Sequence, residues 1–168
     1  DTYYGHCGSL DMAPYVYVEN GKATAQPDRT TENTGKFTWW RKGPTASDFD
    51  HEDVLPNITP RSVRYIEERA ATGEPFFLYF PLSAPHTPIL PTPEFRGKSG
   101  TNAYGDFCLQ VDSVVGHMMD ALNRVGVADN TLLIFTSDNG CSPRADFDEL
   151  AELGHQPSYV FRGHKADI

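Results

Sequence analysis

Residues 131–140 read TLLIFTSDNG, an apolar run that ends in a Ser-Asp-Asn-Gly turn. A second apolar run, EPFFLYFPL over 74–82, is bounded by Pro75 and Pro81 and leads into SAPHTP. Both runs are apolar at odd and even positions alike, the pattern of strands covered on both faces. Between them Phe107, Val111, Val114, Met118, Leu122 and Val125 recur at spacings of three and four, one face of a helix that Gly126 should stop. Two buried strands joined by a crossover helix are most simply parallel neighbours, so the expected class is α/β. Parallel strands end on one edge of the sheet, where ligands of such sheets bind. That placement puts His86, Asp138 and Asn139 on a common rim.

Around this core the signals are weaker. Thr59 and Pro60 suit the first positions of a helix through Val63, Ile66 and Ala70, with Gly73 as its stop. Residues 1–58 are rich in Gly, Pro, Asp, Thr and Asn and read as loops, apart from a short strand YVYVEN over 15–20 that ends in an Asn-Gly turn. No repeat or low-complexity block is present.

The chain has 168 residues, 39% of them hydrophobic, which is material for one domain with a true core. Its formal net charge of −9 and lack of a basic run argue against a nucleic-acid partner. No apolar run approaches the roughly 20 residues of a membrane span. Cys7, Cys108 and Cys141 stand far apart with no Cys-x-x-Cys pair, which argues against a zinc knuckle or a dense disulfide framework and leaves one disulfide at most. Asn57–Thr59 fits the glycosylation sequon.

Asp138 and Asn139 offer adjacent oxygen ligands of the kind hard cations prefer, and equally the residue types of a polar turn. His86, restrained by Pro85 and Pro88, suits a general acid or an anion contact, and equally a structural hydrogen bond. Lys165 stands with Arg162 and His164 in a small basic cluster, a modest pointer to an anionic ligand. His51 has no second histidine four residues on, so it starts no zinc-protease helix.

EPFFLYFPLSAPHTPILP, YGDFCLQVDSVVGHMMDALNRVGVADNTLLIFTSDNG and RGHKADI, in this order, resemble the type I sulfatases, the arylsulfatase branch of the alkaline-phosphatase-like superfamily. The resemblance runs from about Pro75 to the end, and more loosely through YYGHCGSLDMAPYVYVEN. It implies a mixed, mainly parallel sheet flanked by helices and an enzyme that hydrolyses sulfate esters of small molecules or carbohydrates. One Ca²⁺ and a formylglycine nucleophile are implied with it, as is a periplasmic, secreted or lysosomal location. By motif position Asp138 and Asn139 match two calcium ligands, His86 the histidine at the sulfate or leaving-group oxygen, and Lys165 the lysine on the sulfate oxygens. Ser9 matches a weaker substrate-side position.

The family's nucleophile motif, Cys/Ser-x-Pro/Ala-x-Arg, does not occur. CSPRA at Cys141 places its arginine one position early and follows the SDNG turn, so Cys141 reads as a loop cysteine. The expectation is a central piece of one catalytic domain, with 1–58 as a loop-rich, substrate-side segment and 59–168 as helix-strand-helix-strand core. The formylglycine is expected in a missing N-terminal part, the calcium shell is expected to be incomplete, and the isolated piece is expected to be inactive. The alternatives are a phosphoesterase or phosphonate hydrolase of the same superfamily, or a calcium- or carbohydrate-binding module without catalysis.

Overall fold

Tyr17–Glu19 alternates from buried to exposed and turns back through Asn20 and Gly21, both at positive φ (49° and 83°). This is the predicted Asn-Gly hairpin. In a computed structural model that describes residues 1–167, it forms the centre of a three-stranded antiparallel sheet: β1 (Tyr4–His6), β2 (Tyr17–Glu19) and β3 (Lys22–Ala23). Ile168, the end of the RGHKADI motif, lies outside the described residues. A second antiparallel pair, β4 (Pro27–Asn33) and β5 (Trp40–Ala46), joins the first sheet through a single bridge between Tyr15 and Thr45. The segment expected to be mostly loop thus carries five short strands. Their polar, irregular sequences hide the pairing because register shifts break the alternation between Pro27 and Asn33.

Helix α1 runs from Val54 to Thr72, starting six residues earlier than Thr59 as N-cap and Pro60 as first helical residue predict. The reason is burial: Val54, Leu55 and Ile58 all enter the main core. At about 1.5–3 kcal/mol each they outweigh the roughly 3 kcal/mol that an interior proline costs. Asp53 stands at the N-cap without a side-chain bond, Thr59 is buried inside the helix, and Gly73 closes it at φ 70° as expected. The expected division after residue 58 therefore falls within α1. Asn57 of the sequon is also helical, and its side-chain oxygen accepts a 2.7 Å hydrogen bond from the Tyr4 hydroxyl.

Helix α2, Ala103–Arg124, follows its predicted face: Phe107, Val111, Val114, Met118 and Leu122 are buried. Asn102 caps it, accepting from the Tyr104 N–H. Ile66 of α1 and Met118, Ala121 and Leu122 of α2 form one cluster, and Leu10, Tyr15, Tyr17 and Phe49 join Val54, Phe107 and Val114 in the main core.

The two predicted parallel strands are not formed among the described residues, and both sheets present are antiparallel. Residues 76–80 still alternate as an extended chain does. Phe76, Leu78 and Phe80 pack on the α1–α2 cluster, whereas Phe77 and Tyr79 are 85% and 76% exposed. In 131–136, Leu132 is 85% exposed and Ile134 75%. A strand is defined by its ladder, and neither run has one here, so the apolar pattern is met on one face in 76–80 and on neither face in 131–136, where Leu133 and Phe135 are exposed too.

Candidate functional site

Four short segments carry the predicted residues, and local contacts join them in two pairs. Ser9 Oγ lies 3.4 Å from Nδ1 of His86, joining the N-terminal segment to the loop after residue 80. The same nitrogen is 2.6 Å from the Thr87 carbonyl oxygen. A carbonyl only accepts, so the proton sits on Nδ1 and Nε2 is left free to take or give one. His86 itself is half-buried, and its neighbours Thr87, Pro88 and Ile89 are buried.

The second loop pair is joined at Gly140. A Cβ there would lie 3.1 Å from the Gly163 carbonyl oxygen and 3.2 Å from the His164 Cα, tighter than ordinary contact, so a side chain at this position would press the SDNG turn away from the RGHK segment by a few tenths of an ångström. The Lys165 N–H donates to the Cys141 carbonyl at 3.0 Å, which closes the contact. The backbone segments that carry Asp138, Asn139 and Lys165 adjoin in this way, and all three side chains are exposed. No hydrogen bond joins this group to Ser9 and His86 among the described residues.

The Asp138 carboxylate and Asn139 carboxamide make no side-chain hydrogen bonds among the described residues, which leaves two oxygens for a cation. Their chemistry fits a hard ion, but Ca²⁺ takes about 6–8 oxygens. Among the described residues no three His, Cys, Asp or Glu side chains converge on one point.

Cys141 is buried with Ala145 and Leu150, and Tyr104 packs against this small cluster. Burial pushes its thiol up and away from the thiolate form, as it does Cys108, up to about 11. All three cysteines are free. Cys141 is a packing residue, in agreement with its reading as a loop cysteine outside the nucleophile motif.

Between the two loop pairs stands an array that the sequence did not signal. Arg41 and Arg144 both lie over the Trp39 ring, at 5.6 and 5.4 Å from its centroid. Arg41 also pairs with Asp11 at 3.7 Å, two residues after Ser9. Lys36 ties the neighbouring loop to Asp146, at 27% side-chain exposure, and to Glu149 at 3.0 Å. Arg41 is two residues from Trp39 at the start of β5, but Arg144 reaches the ring from a segment distant in sequence, and no spacing rule reveals that contact.

Two cavities adjoin these loops. One of about 450 Å³ is lined by Ser142, Pro143, Arg144, Lys165 and Ala166. The other, about 730 Å³, lies between the β4–β5 hairpin and the N-terminal end of α2 and includes His51 and Trp40, stacked at 3.9 Å.

The family profile described as Sulfatase matches residues 16–166. The chain belongs to the sulfatase family. Its relatives include an N-acetylgalactosamine-6-O-sulfatase of Bacteroides thetaiotaomicron, 38% identical over 133 residues, covering 75% of this chain and 25% of the relative. The N-acetylgalactosamine-6-sulfatase of Mus musculus is 29% identical over 126 residues, covering 75% of this chain and 24% of that protein. A solved chain from work on the metabolism of multiple glycosaminoglycans by Bacteroides thetaiotaomicron superposes with a TM-score of 0.77 at 28% identity, over 97% of this chain and 41% of that one. This sulfatase chain therefore spans about a quarter of the length of the curated relatives it matches. Among its described residues no helix is long and apolar enough to cross a membrane.

Proposed function

We propose that the full-length protein hydrolyses sulfate esters of a carbohydrate, and that this chain contributes a histidine, a lysine and two calcium ligands to the site. The observation that carries this reading is the close packing of Gly140 on Gly163 and His164, which sets Lys165 beside the Asp138–Asn139 turn. Breaking an S–O bond leaves negative charge on the sulfuryl oxygens and on the departing alcohol oxygen. Lys165 supplies a cation for the former, and His86, its Nδ1–H held by the Thr87 carbonyl, protonates the latter from Nε2 when the ring enters the step as the imidazolium. Ser9 steadies the imidazole or meets the substrate beside it.

Asp138 and Asn139 would hold Ca²⁺ through two oxygens, with the remaining ligands coming from elsewhere in the protein and from the substrate or water. When bound, the ion neutralises charge on the sulfate group. The family nucleophile, a formylglycine, has no counterpart among these residues, so this chain alone is expected to release no sulfate. The substrate assignment is supported by relatives that act on N-acetylgalactosamine 6-sulfate by name and by a structural neighbour from glycosaminoglycan metabolism. A periplasmic, secreted or lysosomal setting belongs to the same reading.

The test is ion chromatography of inorganic sulfate and phosphate released by the full-length protein from matched sulfate and phosphate monoesters of one sugar. Sulfate release is expected. Turnover of the phosphate esters alone would contradict the reading.

A further inference from the structure

Among the described residues, the wall of the cavity beside Lys165 has two charged side chains, and both are cations: Lys165 itself and Arg144. Neither forms an ion pair among the described residues, in a chain whose net charge is −9. Two like charges facing one small space repel unless an anion lies between them. We propose that the Arg144 side of this cavity is a second anion subsite beside Lys165, in which Arg144 binds a carboxylate or sulfate group on the sugar next to the one that is desulfated. The inference rests on the sulfate-ester reading and extends it from the reacting group to the class of substrate, a polyanionic saccharide.

Arg144 is built in place. Its backbone N–H donates to Ser142 Oγ at 3.3 Å, and a short 3₁₀ turn over Pro143–Ala145 follows. Ala145 is fully buried, and its carbonyl accepts from Asn102 Nδ2 at 2.9 Å. The guanidinium rests on Trp39, whose ring also carries Arg41. Arg41 is committed to Asp11, and Arg144 is not. With its Cζ 5.4 Å from the Trp39 centroid and no carboxylate paired to it among the described residues, the Arg144 guanidinium keeps its N–H fork free to meet a carboxylate or sulfate with two parallel hydrogen bonds. The volume, about 450 Å³, lies in the range of roughly 300–1,000 Å³ that small ligands occupy. With Lys165 on the reacting sulfate, Arg144 in the same cavity meets a charge on the adjoining sugar.

The experiment measures kcat and KM of the full-length protein on three substrates. One is a singly sulfated monosaccharide, one carries a neighbouring uronate, and one carries a neighbouring second sulfate. For the wild type, at least one of the two doubly charged substrates is expected to have a KM lower by about 10- to 100-fold than the singly charged one, the scale of a charge-assisted pair. The two arms tell carboxylate from sulfate. In Arg144→Ala that advantage is expected to fall at least about tenfold, through KM, and Arg144→Lys is expected to recover part of it. A wild-type KM advantage under twofold on both substrates would overturn the proposal without any variant, and so would an advantage that survives Arg144→Ala. No sulfate release from any of the three would instead overturn the sulfate-ester reading beneath it.

Discussion

His51 shows how much a single residue can depend on its surroundings. It is 7% exposed, stacked on Trp40 and edge-on to Tyr15 at 4.4 Å, and its Nε2 has no partner among the described residues. Burial lowers its pKa to about 4, against a smaller upward pull from Asp50. Between pH 4 and 6.5 the unfolded chain therefore binds a proton that the folded chain refuses, so stability falls as pH drops through 6.5. The expected loss between pH 7 and pH 5 is roughly 2 kcal/mol from this group. Urea unfolding of the wild type and His51→Phe at the two pH values checks it. The variant should lose less stability on acidification, and equal losses would show that another group governs the response.

At the scale of elements, what the sequence disclosed depended on how local the cause was. The buried face of α2 and the Asn20–Gly21 turn rest on contacts and dihedrals within a few residues, and both were legible. The start of α1 was misread because a local proline signal lost to the burial of Val54, Leu55 and Ile58 in a core assembled from other segments. In the same way SDNG and RGHK could be picked out as motifs, yet only the packing of Gly140 shows that they meet. Arg144 and Trp39 gave no signal at all. Asn102 joins local and tertiary roles: it caps α2 and donates to the Ala145 carbonyl, at 7% exposure. Asn102→Ala removes the cap and strands a buried carbonyl, an expected cost of about 2–4 kcal/mol by denaturant unfolding. A cost below 1 kcal/mol would mean that the loop carrying Arg144 is held by other contacts, among them the Lys36 pairs with Asp146 and Glu149.

For the whole molecule, the extended runs at 76–80 and 131–136 matter most. Phe77, Tyr79, Leu132, Ile134 and Phe135 are between 66% and 85% exposed and lie on segments with unpaired backbone. Exposed apolar strands without a ladder associate. Residues 1–168 expressed alone are expected to sediment as oligomers or aggregates, and Phe77→Lys with Ile134→Lys is expected to raise the monomer fraction. A cooperative, monomeric unfolding transition of the unmodified chain would contradict this.

The loops around Gly140 and Gly163 carry Lys165 next to the SDNG turn, and the proposed function makes it the residue that meets the sulfate oxygens. Lys165 is the residue to remove. Steady-state sulfate release by the full-length protein and its Lys165→Ala variant, on one sulfated sugar, measures its contribution. Loss of a cation that stabilises charge in the transition state is expected to lower kcat/KM by about 10²–10³-fold. A variant within twofold of the wild type would contradict the claim and remove Lys165 from the site.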